Sequence, residues 1–219
     1  MNKIREEEKD NLIKCEQFDS IEKTMHLDYA NKFEIEDLLN RRLYLNDVIN
    51  EESLDTMVYH ILRYNRLDKG LSPDERKPII LYINSPGGAV VEGYGVIDAI
   101  INSKTPVYTV NQAACFSMGF LIFIAGHKRY AMPHSEFLLH DGSSGFGFES
   151  TAKLKDRMEF ETMQIEQMTK EYIIGHSNIS EELYEEKYRN EWYFLPEEGK
   201  ELGVVDYIIG KDCTIDDIV

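Results

Sequence analysis

The sequence predicts an α/β fold built around a parallel sheet. Residues 79–83 form a continuous apolar run between Pro78 and Pro86, which is typical of a strand buried on both faces. Segments with helical and strand patterns alternate along the chain, which favours parallel βαβ units. A glycine turn follows the apolar run, and α/β proteins place ligands at such carboxyl ends of strands.

Composition sets limits on the partners of the chain. The 219 residues are 42% apolar and 29% charged, enough for one large domain with a real core. The net charge is −16. Nucleic-acid binding needs a basic surface, and anionic membranes repel acidic chains, so we expect neither partner.

Cysteine usage and the apolar stretches predict a cytoplasmic protein. Cys15, Cys115 and Cys213 are odd in number and show no C-x-x-C spacing, which argues against disulfides and against a zinc site. We expect no metal and no cofactor. Residues 1–10 are charged and lack the apolar core of a secretion signal, and residues 120–125 are too few to cross a bilayer.

The first third of the chain predicts an arm, two helices and two strands. Residues 1–32 are polar and predict an extended or partly disordered arm. A short helix around Ile35 precedes a strand at 41–45. The next helix carries an apolar stripe with helical spacing and is capped by Asn50; the stripe consists of Leu54, Met57, Val58, Ile61 and Leu62.

Alternation continues beyond the central strand, where the pattern predicts a helix at 92–102, a strand at 107–110, a helix at 118–125 and strands at 129–132 and 137–140. A glycine-punctuated stretch at 142–148 and the longest helix, at 151–174, come next. That helix has a one-sided apolar stripe and therefore packs against its own core or a neighbouring subunit; the stripe consists of Leu154, Met158, Ile165, Met168 and Tyr172.

The end of the chain predicts two short helices, a strand and a tail. Ser180 caps the first of these helices, and Gly203 closes the second, at 196–202. A last strand at 204–209 precedes a polar tail that starts at Lys211.

Ser117 lies at the predicted N-terminus of an apolar helix. Free N–H groups and the positive end of the helix dipole lie there, which suits a developing oxyanion. A nucleophilic serine also needs a base. From the residue alone, a plain N-cap serine explains the same position, so both interpretations stay open.

His140 and the glycine turn at 84–88 (Asn-Ser-Pro-Gly-Gly) are candidates for the remaining parts of a serine-hydrolase site. Glycine lets a backbone approach a bound carbonyl closely, although an ordinary tight turn has the same composition. His140 ends a strand and could act as a base, or it could be a partly buried structural histidine. Glu191, Asn190 and Asp206 are the candidates for orienting its ring.

Four segments together resemble the ClpP family of serine peptidases. They are residues 84–88, residues 117–119 (Ser-Met-Gly), residues 132–135 ahead of Leu139-His140, and residues 197–206. Their order and spacing are similar to those of the family over about 33–210. The resemblance implies a peptidase domain at 33–210, an arm at 1–32 and a polar C-terminal tail at 211–219.

The resemblance assigns roles to residues of this chain. It implies that Ser117 is the nucleophile, that His140 is the general base, and that the N–H groups of Gly88 and Met118 form the oxyanion hole. Substrate is expected to bind as an added strand, and the residues implied to bind it are Gly87, Ala89, Val90 and Gly142.

The resemblance also implies an assembly. The fold would be crotonase-like, with repeated ββα units and a projecting handle helix. Handles join two rings of seven subunits face to face, and a Clp-type AAA+ ATPase feeds polypeptide into the chamber. The predicted function is a self-compartmentalising serine endopeptidase. The alternatives are a non-catalytic ring subunit and a crotonase-type acyl-CoA enzyme on the same fold.

Three features depart from the family's pattern. An ungapped alignment places Glu191 where the family has an aspartate as its third triad residue, and a one-residue gap would place Asn190 there. Cys115 and Phe116 precede Ser117, where the family commonly has small residues. The arm at 1–32 also matches poorly.

Overall fold

The computed structural model describes residues 29–142 and 150–218. Most of the predicted arm and of the glycine-punctuated stretch therefore lies outside the described residues. The described residues divide into two compact units between residues 42 and 43. In the first unit, helix α1 (Tyr29–Leu39) contains the short helix predicted around Ile35 and begins within the predicted arm.

In the described residues, seven strands form one sheet, and the prediction of a largely parallel α/β sheet is confirmed. The strands are β1 (Arg42–Leu45), β2 (Ile79–Ser85), β3 (Val107–Phe116), β4 (Lys128–Ala131), β5 (Glu136–Leu139), β6 (Trp192–Phe194) and β7 (Tyr207–Ile208). Their order is β1-β2-β3-β4-β7, with β5 paired to both β3 and β6. The β2–β3, β3–β4, β3–β5 and β4–β7 pairs are parallel, and β5–β6 is antiparallel.

Beyond α1, the described residues form seven α-helices, two of which begin at a side-chain cap. They are α2 (Glu51–Leu67), α3 (Val90–Ile101), α4 (Met118–Ile124), α5 (Thr151–Phe160), α6 (Glu166–Gly175), α7 (Glu181–Lys187) and α8 (Pro196–Glu201). The Asn50 side chain accepts a hydrogen bond from the N–H of Ser53, and Ser180 accepts one from Leu183. Both predicted caps are confirmed.

Strand β3 is longer than the predicted 107–110 and changes partner along its length. Its first half pairs with β4, and its last residues pair with β5. Against β2, the register shifts between the pairs Ile83–Asn111 and Ser85–Cys115. Asn111 interrupts the apolar pattern that the prediction followed, yet it is buried and its Nδ2 donates to the carbonyl of Glu136 at 2.9 Å.

Strand β6 was not predicted, and the predicted strand at 204–209 is wrong in extent. β6 has three residues and follows a charged segment, so it is too short to show a clear alternating pattern. Val204 and Val205 are buried, but both of their N–H groups donate to the carbonyl of Gly199. They therefore belong to the turn after α8, and only Tyr207–Ile208 joins the sheet.

An aromatic cluster holds β5, β6 and α4 together in the core. The rings of Phe137 and Phe194 stack at a centroid distance of 5.2 Å, and Phe120 meets both edge-on. Phe123 packs against Phe137 at 5.0 Å. Burying each such ring stabilises the fold by roughly 1.5–3 kcal/mol, so the register of β5 and β6 is strongly fixed.

The predicted handle helix forms, but with a change of pitch that the sequence did not reveal. A π-helical segment (Glu161–Ile165) joins α5 to α6, and the helix ends at Gly175. No residue of α5 is buried, and Met158 is 51% exposed. In α6, by contrast, Tyr172 donates to the carbonyl of Leu121 at 2.9 Å. Of the predicted apolar stripe, Tyr172 therefore contacts the core of its own chain, whereas Met158 and Met168 are exposed.

The predicted polar tail is packed onto the sheet. In a 3₁₀ turn (Ile215–Asp217), the Asp217 carboxylate accepts hydrogen bonds from the N–H and the hydroxyl of Thr214, the residue before the turn. This turn delivers Ile218, which is only 2% exposed, into an apolar cluster that includes Ile80 and Tyr82. The hydroxyl of Tyr82 donates to the carbonyl of Ile218 at 3.3 Å. Within the two described ranges, no helix has the length and apolar character to cross a membrane.

We expect Ile218→Ala to lower the free energy of unfolding by about 2–4 kcal/mol, because it leaves a cavity in the cluster over Ile80. Ile215→Ala is the matched control: its side chain is 52% exposed, and we expect a change within about 0.5 kcal/mol. Urea unfolding followed by circular dichroism measures both. Equal midpoints for the two variants would contradict the packing of the tail.

Candidate active site

Ser117 connects β3 to α4 in an unusual backbone conformation. Its φ is 53° and its ψ is −121°, and Arg41 is the other non-glycine residue with positive φ in the described ranges. Such a conformation costs of order 1–3 kcal/mol. It is held from both sides, since the Ser117 N–H donates to Leu138 at 2.9 Å and its carbonyl accepts from Phe120 at 3.0 Å. A sharp strand-to-helix turn of this kind projects a nucleophile from the end of a sheet.

The hydroxyl of Ser117 does not cap the helix. Ser117 occupies the N-cap position of α4, but its side chain makes no capping hydrogen bond. The interpretation as a plain N-cap serine is therefore not supported. Burial raises the pKa of the neighbouring Cys115 thiol well above its usual value, so Cys115 stays protonated and is a poor nucleophile.

The glycine turn lies directly against Ser117. Gly87 and Gly88 have φ values of 98° and 149°, which favour glycine. A Cβ at Gly87 would lie 2.7 Å from the Ser117 Cβ and 3.1 Å from the Met118 nitrogen. A Cβ at Gly88 would overlap the backbone of Ile49. Only glycines therefore allow this turn to approach the start of α4 so closely.

Two backbone N–H groups lie on the segments that meet at Ser117: that of Met118, the next residue, and that of Gly88, which follows Gly87. Ile49 forms a parallel bridge with Gly88, in which its N–H donates to Gly87 and its carbonyl accepts from Ala89, both at 2.9 Å. The bridge leaves the Gly88 N–H unused, and among the described residues neither that group nor the Met118 N–H has a hydrogen-bond partner. Preorganised N–H groups of this kind are what an oxyanion hole requires.

Parallel pairing of β3 with β5 brings His140 to the same end of the sheet as Ser117. Phe116 pairs with Leu138, so the two strands end side by side. His140 is the first residue after β5 and is partly exposed. The next N–H, of Asp141, donates to the carbonyl of Tyr188 at 3.0 Å, which fixes the backbone beyond the histidine.

Antiparallel pairing of β5 with β6 brings Glu191 and His140 to the same end of the two strands. The last pair of the ladder is Leu139–Trp192, and one further step in the same register gives His140 and Glu191. Asn190 is directed elsewhere: its N–H donates to Lys187 at 2.9 Å, and its Nδ2 donates to Glu186 at 3.4 Å. The register therefore favours Glu191 over Asn190 as the partner of His140.

Asp206, the third candidate for orienting the histidine, forms an ion pair with Arg129. Its Oδ1 accepts from Nη2 of Arg129 at 2.7 Å, and its Oδ2 accepts from the Nε and the backbone N–H of the same arginine at 3.1 and 2.8 Å. Arg129 also donates to the carbonyl of His176 at 2.8 Å. Asp206 thus ties the end of the sheet to α6 and is not free to hold His140.

The residues implied to bind substrate lie around the glycine turn and beyond His140. The Ala89 N–H is used by Ile49, and Val90 is the first residue of α3 and is exposed. Gly142 is exposed and follows the anchored Asp141. Of these residues, Gly87 is the one with a defined contact to Ser117.

Sequence analysis missed Tyr193, which lies beside the candidate triad. Its ring meets that of Phe116 edge-on at a centroid distance of 5.9 Å, and its hydroxyl donates to Oε2 of Glu191 at 3.3 Å. Partial loss of solvent and the nearby Glu191 carboxylate raise the pKa of Tyr193. The aromatic run Trp192-Tyr193-Phe194 directly after Glu191 was the available signal, since aromatic residues favour strands.

Comparison with known proteins identifies the family. The Clp protease family model matches residues 30–212. The ATP-dependent Clp protease proteolytic subunit 3 of Synechococcus sp. (strain CC9605) is 30% identical over 173 residues, 78% of this chain and 83% of that protein. Subunit 1 of Frankia casuarinae is 30% identical over 174 residues, which is 78% of each chain. Subunit 2 of Prochlorococcus marinus (strain MIT 9312) is 30% identical over 173 residues, 78% of this chain and 82% of that protein.

These matches confirm the family that the four sequence segments predicted, and the mixed sheet with its long helix agrees with the fold expected of that family. By sequence and by architecture, the chain belongs to the Clp protease family.

Proposed function

We propose that the protein is a serine endopeptidase in which Ser117 is the nucleophile, His140 the general base and Glu191 the residue that orients His140. The observation that carries the proposal is the conformation of Ser117. Ser117 is strained, leaves its hydroxyl uncapped and packs against Gly87, and in the described part of the chain the adjoining N–H groups of Gly88 and Met118 have no hydrogen-bond partner. A serine kept only for structure would not need that combination.

The mechanism follows from these positions. The Ser117 hydroxyl attacks a peptide carbonyl while His140 accepts its proton. The resulting oxyanion receives hydrogen bonds from the N–H groups of Gly88 and Met118. His140 then donates its proton to the leaving amine, and a water molecule, activated in the same way, hydrolyses the acyl-enzyme. Glu191 holds the imidazole in the correct tautomer and stabilises the imidazolium.

The proposed substrate is an extended polypeptide. A strand running between the turn that contains Gly87, Ala89 and Val90 and the segment that contains Gly142 would be held mainly through its backbone. Backbone recognition depends little on side chains, which suits a broad range of unfolded substrates. No cofactor or metal is needed for this chemistry.

We also propose that the chain forms heptameric rings that stack in pairs and receive substrate from a Clp-type AAA+ ATPase, in the cytoplasm. Support for stacking comes from the handle. Helix α5 buries none of its residues against its own chain, yet it exposes Met158 and Phe160, and Met163 follows in the π-helical segment. Apolar side chains exposed together on a projecting helix favour contact with another subunit.

Ser117→Ala should abolish peptide hydrolysis, with a fall in kcat of about 10⁶-fold, because the nucleophile is removed. A fluorogenic peptide measures the rate, and a fluorophosphonate probe should label the wild-type protein at Ser117 but not the variant. Undiminished hydrolysis by Ser117→Ala would disprove the assignment. Rings that form but never react with the probe would indicate a non-catalytic subunit, and acyl-CoA binding in calorimetry would indicate the crotonase-type alternative.

Ser117→Gly is the matched control for folding. It is equally inactive, but glycine adopts positive φ without strain, so we expect it to be more stable than Ser117→Ala by about 1 kcal/mol. Thermal unfolding of the two variants makes the comparison.

Glu191→Ala should reduce kcat by about 10³- to 10⁴-fold, because His140 loses the carboxylate that orients it. Asn190→Ala should change kcat by less than about threefold, since the Asn190 side chain bonds to α7. Steady-state kinetics on one peptide compares the neighbours directly. A larger loss in Asn190→Ala would transfer the role to Asn190.

Met158→Glu should separate stacked rings and lower the particle mass to about half, because it places a charge on the apolar surface of the handle. Ala152→Glu adds the same charge to an exposed position about 120° around α5 from Met158 and should leave the mass unchanged. Light scattering after size-exclusion chromatography measures the mass. An unchanged mass for Met158→Glu would exclude this surface from stacking.

A further inference from the structure

Phe116 and Glu191 are two departures from the family's pattern, and both contact the same residue, Tyr193. The Tyr193 ring packs edge-on against Phe116 with an interplanar angle of 87°. Its hydroxyl donates to Oε2 of Glu191 at 3.3 Å. A single side chain therefore connects the residue before the nucleophile to the acid that faces the base.

The register of three strands produces this arrangement. Phe116 on β3 pairs with Leu138 on β5, which pairs with Tyr193 on β6. Side chains of paired residues share a face of the sheet, and the period along a strand is two residues. Glu191 lies two residues before Tyr193, and His140 lies two residues after Leu138. All five residues therefore belong to one face at the end of the sheet where Ser117 is found.

A glutamate at this position needs a constraint that an aspartate does not. Its side chain has one more rotatable bond, so its carboxylate samples more positions relative to a backbone that the sheet holds fixed. A hydrogen bond from Tyr193 to Oε2 restricts that freedom and leaves Oε1 for the imidazole. Tyr193 is itself 52% exposed, and the contact with Phe116 limits the movement of its ring.

We propose that Tyr193 is a positioning residue that aims the Glu191 carboxylate at His140, with Phe116 fixing the Tyr193 ring. This inference rests on the proposed serine peptidase mechanism and concerns the regulation of its geometry. It gives a joint role to two departures from the family's pattern, Phe116 before the nucleophile and Glu191 in place of an aspartate.

The test starts with Tyr193→Phe, which removes the hydroxyl and keeps the ring. We expect kcat for a fluorogenic peptide to fall about threefold to tenfold with KM unchanged, because the lost hydrogen bond acts on the base and not on substrate binding. Tyr207→Phe is the matched control. It removes a partly exposed strand tyrosine hydroxyl from β7 and should leave kcat unchanged. Thermal unfolding and particle mass should be the same for the wild type and both variants.

A double-mutant cycle separates positioning of Glu191 from any other role of the hydroxyl. Glu191→Asp shortens the acid so that it no longer reaches the Tyr193 hydroxyl. In that background, Tyr193→Phe should change kcat by less than about 1.5-fold. Phe116→Leu, which removes the ring contact, should reproduce most of the loss caused by Tyr193→Phe.

The outcomes distinguish this inference from the proposed function. A wild-type protein that neither hydrolyses peptides nor reacts with the fluorophosphonate probe overturns the peptidase proposal, and with it the role of Tyr193. An active wild type with Tyr193→Phe at full kcat overturns only the positioning role. A loss that persists undiminished in the Glu191→Asp background also overturns it, since the hydroxyl would then act on another group.

Discussion

The candidate site depends on the way in which β3 changes partner. Its first half lies beside β4, its end lies beside β5, and the register against β2 shifts between those halves. The buried Asn111 lies at the change, where its amide donates to the carbonyl of Glu136 at the start of β5. Without that change, β5 would have no place beside Phe116, and His140 would not end next to Ser117. A single irregularity in one strand therefore sets the relative positions of His140 and Ser117, the proposed base and nucleophile.

Close packing of the glycine turn against Ser117 accompanies both the strained backbone of Ser117 and the hydrogen-bond donors that have no partner in the described residues, the N–H groups of Gly88 and Met118. Gly87 can lie against Ser117 and the Met118 nitrogen only because it lacks a Cβ. The bridge from Ile49 uses the carbonyl of Gly87 and the N–H of Ala89. The N–H of Gly88 itself takes no part in that bridge. The cost of the positive φ at Ser117 is of order 1–3 kcal/mol, and its hydrogen bonds to β5 and within α4 offset it.

Sequence patterns predicted the elements whose signal is local. The caps at Asn50 and Ser180 and the central strand β2 depend on neighbouring residues, so they could be recognised directly. The length of β3, the strand β6 and the docking of Ile218 depend on partners far along the chain, and no local pattern encodes them. The motifs could nominate Ser117 and His140, but local patterns left Glu191 and Asn190 as alternatives, and only the register of β5 with β6 favours Glu191 for the proposed role.

The same register explains why Glu191, which is longer than the family's aspartate, must be fitted by its side-chain conformation and not by a shift of the backbone. Phe137 and Phe194 are paired across β5 and β6 and stacked in the core, so a shift of β6 relative to β5 would disrupt a buried aromatic cluster. The distance between the backbones at positions 140 and 191 is therefore fixed. A glutamate must fit that distance by adopting a particular conformation, and the hydroxyl of Tyr193, held on the same face by Phe116, is placed to select it.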